Sequence, residues 1–251
     1  MSKNNQLHQL LAVENDRRQQ ANNIMQETID TFTKKQDRFD GIFKTYEPYE
    51  ETNQKIAPEI KEIVTSVKEK LVYTAKSITN AIDTHISKEE TNSSGLVKSE
   101  LKINTSFSFG ELSATSLLAL EQYIVKIRTM YKTIPTLDPT KQWKLIDDKI
   151  YNTNEEIKYR TEKKTETIVK YEATKEHPAQ VELINIDKQV GEYKTIYSSG
   201  RITPYQKSLL LERIDFLLNA IKIARAKANQ AEVNQIKLGS KIFQYIHTDI
   251  L

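Results

Sequence analysis

A strand-like run with the sequence IKYRTEKKTETIVKYE occupies residues 157–172. Its side chains alternate along the chain, and it is rich in threonine, isoleucine, valine and tyrosine, which favour β-structure. These features predict one long β-strand. The middle of the strand is polar on both faces, so it needs pairing along its edges or a neighbouring chain to cover it.

The sequence on either side of this run extends the β-structure. Residues 143–151 predict a hairpin with its turn at Asp147-Asp148, where aspartate is favoured because it bonds the turn backbone. Residues 181–197 predict a second hairpin with its turn at Asp187-Lys188. The region from 143 to 197 is therefore predicted to be an antiparallel sheet.

Two further strands are predicted upstream. Apolar and polar residues alternate over residues 97–109, which predicts a single half-buried strand with one wet face. Residues 41–48 predict a shorter strand, and Pro48 indicates that this strand lies at a sheet edge or ends there.

Helices are predicted where apolar residues recur at three- and four-residue steps. Pro58 marks the predicted start of the second helix, because proline is tolerated in a first turn. The fourth begins at Thr203-Pro204-Tyr205-Gln206, which has the pattern of a capping box. The predicted helices cover residues 6–35, 58–86, 113–131, 203–228 and 233–247.

The predicted fold class is α+β, with long helices packed on an antiparallel β-meander and helices at both termini. We expect one unit over residues 1–251, with a helical part at 1–92 and a β-rich part at 96–200 that holds the helix 113–131. The C-terminal helices occupy residues 203–247. Helices and strands are segregated along the chain, which argues against a parallel doubly wound sheet.

Composition excludes several classes of protein. The 251 residues include no cysteine, so the chain has no disulfide, no thiol nucleophile and no cysteine-bound metal. A net charge of +3 is close to neutral, which weighs against a dedicated electrostatic nucleic-acid binder. The longest apolar runs are far shorter than the roughly 20 residues of a membrane span. We expect no membrane association and a cytoplasmic location.

Sequence patterns of cofactor and metal sites are missing. The six glycines are isolated, so they form neither a dinucleotide fingerprint nor a phosphate-binding loop. The four histidines are far apart, and none has a second histidine at metal-ligand spacing. We predict no cofactor and no metal.

The best candidate for a catalytic group is His177, in a predicted loop between two strands. Glu172 or Glu176 could orient its imidazole as a general base in a hydrolase or small-ligand site. The alternative is that Pro178 fixes a turn and His177 packs locally. We give this alternative more weight.

A second hypothesis is that the long strand binds RNA or single-stranded DNA. Basic side chains with interleaved tyrosines on a sheet can hold a single strand by charge and stacking. Acidic residues are almost as frequent there, which favours a solvated face with cross-strand ion pairs. The candidate residues are Lys158, Arg160, Lys163, Lys164 and Lys170, together with Tyr159 and Tyr171.

Short motifs are spread over nearly the whole chain. They include IPTLDP at 134–139 followed by Trp143, EATK at 172–175, HPAQVE at 177–182, and the pairs Val190-Gly191, Ser199-Gly200 and Ala224-Arg225. Together they resemble an uncharacterised domain of unknown function found in bacteria and in some phages. The resemblance implies a single domain-like unit, and it brings no established activity, cofactor or catalytic residue.

The leading hypothesis is a non-enzymatic interaction protein that assembles with copies of itself or with another protein. The first two predicted helices are long and have apolar stripes that need partners, and the long strand needs cover on its edges. A homo-oligomer in which the N-terminal helix reaches another subunit would meet these needs.

Overall fold

The structure is a computed structural model that describes residues 7–50, 56–104, 107–172, 178, 180–230 and 238–246. Helices and antiparallel strands make up most of these residues, with helices at both ends, so the predicted α+β class is confirmed. The helices are α1 (Leu7–Lys34), α2 (Val67–Asn92), α3 (Ala114–Lys132), α4 (Pro204–Ala228) and α5 (Gly239–Ile246). The strands are β1 (Asp40–Pro48), β2 (Glu59–Lys61), β3 (Lys98–Asn104), β4 (Phe107–Ser113), β5 (Trp143–Asp147), β6 (Ile150–Thr153), β7 (Glu156–Tyr171) and β8 (Gln180–Ser199).

The strands of the described residues form two antiparallel sheets. The larger sheet has the order β2-β1-β8-β6-β5, and β7 also pairs with β8. β8 is therefore the central strand: β1 lies along one of its edges, and β6 and β7 share the other. β3 and β4 form a separate two-stranded sheet.

The chain divides into two compact units. The first unit comprises Met1–Asn15, Ile82–Lys126 and Arg213–Leu251, and the second comprises Asp16–Ala81 and Ile127–Glu212. The β3–β4 sheet belongs to the first unit and the larger sheet to the second. Each unit thus has a sheet of its own.

The core of the second unit lies where Phe32 and Phe39 meet. Both side chains are fully buried, and their ring centroids are 5.8 Å apart with planes tilted by 43°. Val67 and Ile134 are buried in the same cluster. Removing side chains of this size from water is the main favourable contribution to folding.

Helix α2 begins at Val67, so the predicted start at Pro58 is wrong. The backbone N–H of Glu69 donates to Ser66 Oγ at 3.2 Å, and the N–H of Ser66 donates to Glu69 Oε2 at 3.1 Å. This reciprocal capping box satisfies two backbone donors at the start of the helix. The residues after Pro58 form β2, which pairs with β1.

Residues 97–109 do not form one strand as predicted. Residues 98–104 form β3 and residues 107–109 belong to β4, and the register of this strand pair shifts on either side of Lys102. A single strand and two successive hairpin strands show the same alternation of side chains, so periodicity alone could not distinguish them. Residues 105 and 106 lie outside the described residues.

The predicted turn at Asp187-Lys188 is also wrong, because β8 runs without a break from Gln180 to Ser199. Asp187 lies opposite Lys163 of β7, and Lys188 lies opposite Glu162. Opposite charges that face each other across a ladder stabilise strand pairing. The two residues therefore serve as cross-strand partners of β7.

Several predicted elements are confirmed. β1 ends at Pro48, and β5 and β6 form the predicted hairpin, with its turn at Asp148-Lys149, one residue later than predicted. At the start of α4, the N–H of Thr203 donates to Gln206 Oε1 at 2.9 Å, and the N–H of Gln206 donates to Thr203 Oγ1 at 3.1 Å. The predicted last helix is described from Gly239 onward, and residues 231–237 lie outside the described residues.

A polar network around Glu90 links α2 to β3 and β4 in the first unit. Glu90 Oε1 accepts the backbone N–H of Ser113 at 2.8 Å, and Oε2 lies 2.8 Å from Lys98 Nζ. Burial raises the pKa of Glu90, but hydrogen bonds from Lys98, Ser116 and Ser113 outweigh burial and lower the pKa to about 2. The carboxylate therefore stays charged far into the acid range.

We expect the first unit to lose stability as the pH falls from 4.5, the ordinary pKa of a glutamate side chain, to about 2, the pKa of Glu90 in the folded protein. A carboxyl group whose pKa is lowered by folding stabilises the protein at any pH above the pKa of the unfolded state. This stabilisation disappears as the pH falls through the pKa of the folded state and the group is protonated. The loss should reach about 2–3 kcal/mol.

Urea unfolding followed by circular dichroism at neutral and at acid pH measures this loss. Glu90→Gln should reduce the pH dependence by about 2–3 kcal/mol, and the other carboxylates with a lowered pKa, such as Glu100, should supply the remainder. The exposed Glu111 of β4 supplies a matched control, Glu111→Gln, which should retain the pH dependence of wild type. Equal pH dependence in wild type and Glu90→Gln would contradict the prediction.

Candidate functional site

Residues 161–171 of β7 and 180–189 of β8 form a two-stranded ribbon, called the ribbon below. β1 pairs with β8 only as far as Gly191, where it ends at Pro48. Among the described residues, no third strand pairs with either outer edge of the ribbon. At about 3.4 Å per residue the ribbon is roughly 35 Å long.

The end of the ribbon away from Gly191 carries exposed apolar side chains. Val169 lies opposite Val181, and Leu183 lies two residues further along the same face of β8. This apolar end consists of Ile168, Val169, Tyr171, Val181 and Leu183, which are between 45% and 69% exposed. Val169, Val181 and Leu183 share one face of the ribbon, and Ile168 lies on the other face. Exposed apolar side chains of this kind mark a surface for interaction.

The open edges of the ribbon present unpaired backbone hydrogen-bonding groups. The outward N–H and C=O groups of an unpaired edge strand are a template for another strand. Natural edge strands are commonly protected by charge, and the middle of the ribbon has charged pairs such as Glu162 with Lys188. The apolar end has the open edge together with apolar side chains.

Carboxylates lie beside most of the residues predicted to bind nucleic acid. Arg160 Nη2 is 2.8 Å from Glu162 Oε1. This compensation reduces the attraction of the strand for a phosphate backbone. The other compensated cations are Lys164 with Glu50 at 3.8 Å, Lys170 with Glu182 at 2.5 Å and, by register, Lys163 opposite Asp187.

Lys158 lies on the face of the larger sheet that carries Tyr193, and Arg160 shares this face, with its guanidinium carbon 5.5 Å from the centre of the Tyr46 ring. The register places Lys158 on β7 and Tyr46 on β1 at either side of Tyr193. The rings of Tyr46 and Tyr193 lie 5.0 Å apart, and Lys44 Nζ is 4.8 Å from the Tyr193 ring centre. Tyr159 follows Lys158 and lies on the opposite face. The structure therefore separates residues that the sequence grouped into one site.

A cleft of about 560 Å³ lies in the second unit, with Trp143 and Tyr197 among its lining residues. Lys141 Nζ is 3.2 Å from the centre of the Tyr197 ring and 2.9 Å from Glu156 Oε1. Trp143 follows the IPTLDP motif of residues 134–139, so the sequence marks one side of this cleft, but it gives no sign that Tyr197 and Glu156 lie beside Lys141.

Asp40 and Arg201 form a two-point ion pair in this cleft. Arg201 Nε donates to Asp40 Oδ1 at 3.0 Å, and Arg201 Nη2 donates to Asp40 Oδ2. Ser199 Oγ also donates to Asp40 Oδ1, at 2.9 Å. Bidentate pairing fixes the orientation of both side chains. The carboxylate is thus satisfied within its own chain.

The predicted catalytic candidates His177 and Glu176 lie outside the described residues, so a site there stays a prediction. Glu172 is exposed and follows the last residue of β7. In the part of the chain that the structure describes, no three histidine, aspartate or glutamate side chains are grouped so that they could hold a metal ion.

No helix of the described residues is both long and apolar enough to cross a membrane. The fold defines a two-unit α+β protein. Residues 4–249 match the family of unknown function DUF7873, and the chain belongs to this family. The resemblance to a domain of unknown function is thereby confirmed. No curated protein and no solved structure matches the chain.

Proposed function

We propose that the protein is a non-enzymatic interaction protein that assembles with copies of itself through the ribbon. The supporting observation is the apolar end, where five apolar side chains lie exposed between two open strand edges. A second copy can add a strand to such an edge and cover the side chains beside it. The contact would remove apolar surface from water and satisfy edge backbone groups.

The charges of the ribbon favour a second copy as the partner. Lys163 and Asp187 face each other on one face of the ribbon, and Glu162 and Lys188 face each other on the other. Because both signs are present, the acidic groups of one ribbon can meet the basic groups of another. A ribbon of a single sign would repel its own copy.

The N-terminal helix offers a further surface for the same assembly. Leu7, Leu11 and Val13 of α1 are exposed. Contact of α1 with another subunit, expected from the sequence, remains part of this proposal.

Light scattering at micromolar concentration tests the proposal. Wild type should have a mass that is a multiple of the 29.0 kDa chain mass, and the double variant Val181→Lys/Leu183→Lys should have a clearly lower mass than wild type, because it loses the ribbon contact. Two added lysines at the apolar end place unpaired charges in the contact, which is costly when they lose water.

Asn185→Lys is the matched control, because Asn185 is exposed on the same strand and the same face of the ribbon. It adds a charge at a polar position and should keep the multimer. A wild-type mass of 29.0 kDa at this concentration would contradict self-assembly. A control whose mass falls as far as that of the double variant would contradict the role of the apolar end.

Binding of RNA or single-stranded DNA is the second candidate. It is favoured by the neighbouring rings of Tyr46 and Tyr193, 5.0 Å apart and tilted by 45°, with Lys44 and Lys158 beside them, because aromatic and basic side chains together can hold a base and a phosphate. The carboxylates along β7 weigh against it. Binding to a mixed single-stranded oligonucleotide that weakens steeply with salt would support this candidate over the first.

A hydrolase or small-ligand site at His177 is the third candidate, and it rests on sequence alone. We further propose that the protein acts in the bacterial cytoplasm or belongs to a phage. The cysteine-free composition and the motif resemblance support this location and origin.

A further inference from the structure

The first unit has an apolar groove between β3 and α4, with a volume of about 660 Å³. Phe216 and Ile223 of α4 line it and are 55% and 59% exposed. Ile103 of β3 also lines the groove, and Lys102 and Lys227 add positive charge. From residue 216 to residue 227 the groove follows α4 for about 16 Å.

Helix α5 belongs to the same unit and exposes an apolar face. Leu238, Ile242 and Tyr245 follow one another at spacings of four and three residues, so they share one side of the helix. All three are exposed, Tyr245 by 83%. Ser240 and Gln244 lie on the opposite side, together with Phe243, which is 61% exposed.

A helix of this size needs a surface to pack against. α5 has 8 residues. Isolated helices shorter than about 12–15 residues are marginal in water, because the cost of nucleation is shared by few hydrogen bonds. An amphipathic helix that keeps its structure therefore does so by burying its apolar face.

We infer that α5 of one copy docks into the groove between β3 and α4 of a second copy. The dimensions agree, since α5 is about 12 Å long and the groove follows α4 for about 16 Å. The occupant is a second copy because, within one chain, the groove and the apolar face of α5 are exposed at the same time.

Each copy offers one helix and one groove, so the contact is heterologous and repeats from copy to copy. It involves no residue of the ribbon and is independent of the proposed ribbon contact. Together with the ribbon it would give each chain two different surfaces for assembly.

Cysteine cross-linking tests the docking directly, because the sequence has no cysteine of its own. Ile223→Cys and Ile242→Cys are made in separate chains, both carrying Val181→Lys and Leu183→Lys to remove the ribbon contact. A disulfide requires Cα atoms roughly 4–7 Å apart. After mild oxidation, the mixture should contain a linked species of twice the 29.0 kDa chain mass.

Two controls define the background. In the first control, each single-cysteine chain is oxidised alone. It should form little linked dimer, because docking brings a groove cysteine close to an α5 cysteine and not to a second cysteine of its own kind. Leu118→Cys, at an exposed position of α3 in the same unit, replaces Ile223→Cys in a matched mixture. Circular dichroism of every variant verifies that the exposed substitutions leave the helices intact.

Two results would overturn the inference. One is a mixture that cross-links no more than the controls. The other is a chain with both Ile223→Cys and Ile242→Cys that closes its own disulfide and keeps the mass of one chain, because α5 would then fill its own groove. Neither result bears on the ribbon, whose contact is absent from all of these chains.

Discussion

Phe32→Ala should lower the free energy of unfolding of the second unit by about 3–5 kcal/mol. Phe32 is fully buried and packs against Phe39, with Val67 and Ile134 in the same cluster. Truncation loses the burial of the ring and leaves a cavity that close-packed neighbours fill only in part. A loss of this size is a large fraction of the roughly 5–15 kcal/mol that stabilises a typical domain.

Urea unfolding followed by the fluorescence of Trp143 measures this effect. Trp143 is the only tryptophan in the sequence and belongs to the second unit, so its signal reports on that unit. Phe43→Ala is the matched control, because Phe43 is in the same unit but about half exposed. Its loss should be about 1 kcal/mol. Equal losses in the two variants would contradict the assignment of the core.

Gly191→Ala should also destabilise the second unit, by about 1–3 kcal/mol. A Cβ atom at this position would meet the hydroxyl of Tyr46 and would lie 2.7 Å from the carbonyl oxygen of Glu47. Tyr46 could rotate away only by leaving the Tyr193 ring, 5.0 Å from its own. The Glu47 carbonyl is part of the paired backbone, so β1 would have to move away from β8.

Gly239→Ala is the control for this substitution, because a Cβ atom at Gly239 meets nothing within 4 Å. Gly239 also lies in the first unit, so the unfolding transition that Trp143 fluorescence reports should keep the urea midpoint of wild type. A Gly191→Ala variant as stable as wild type would contradict the close approach of β1 and β8.

Helix starts with a local hydrogen-bonding pattern could be predicted from the sequence. The capping box of Thr203 and Gln206 was found in this way. Ser66 and Glu69 have the same spacing and would have placed the start of α2 correctly. Pro58 was the weaker signal, because proline suits both a first helical turn and the flank of an edge strand.

Pairing between strands that are far apart in the chain could not be predicted, because it depends on residues that no local pattern connects. Asp187-Lys188 has the composition of a turn, and only Lys163 and Glu162 on the facing strand make it part of a ladder. The same limit applies to the candidate site. The alternation over residues 157–172 predicts a long strand, but the apolar end forms only when β8 places Val181 and Leu183 beside it.

The central position of β8 has a consequence for biosynthesis. Asp40 and Ser199, which bond through their side chains, are 159 residues apart. At the usual 5–20 residues per second, a nascent β1 waits roughly 10–30 s for its partner strand to be translated. Contacts of such long sequence separation also fold slowly. The growing chain thus carries β1 without this partner strand during translation, and exposed strand edges of this kind favour aggregation until residues 180–199 emerge.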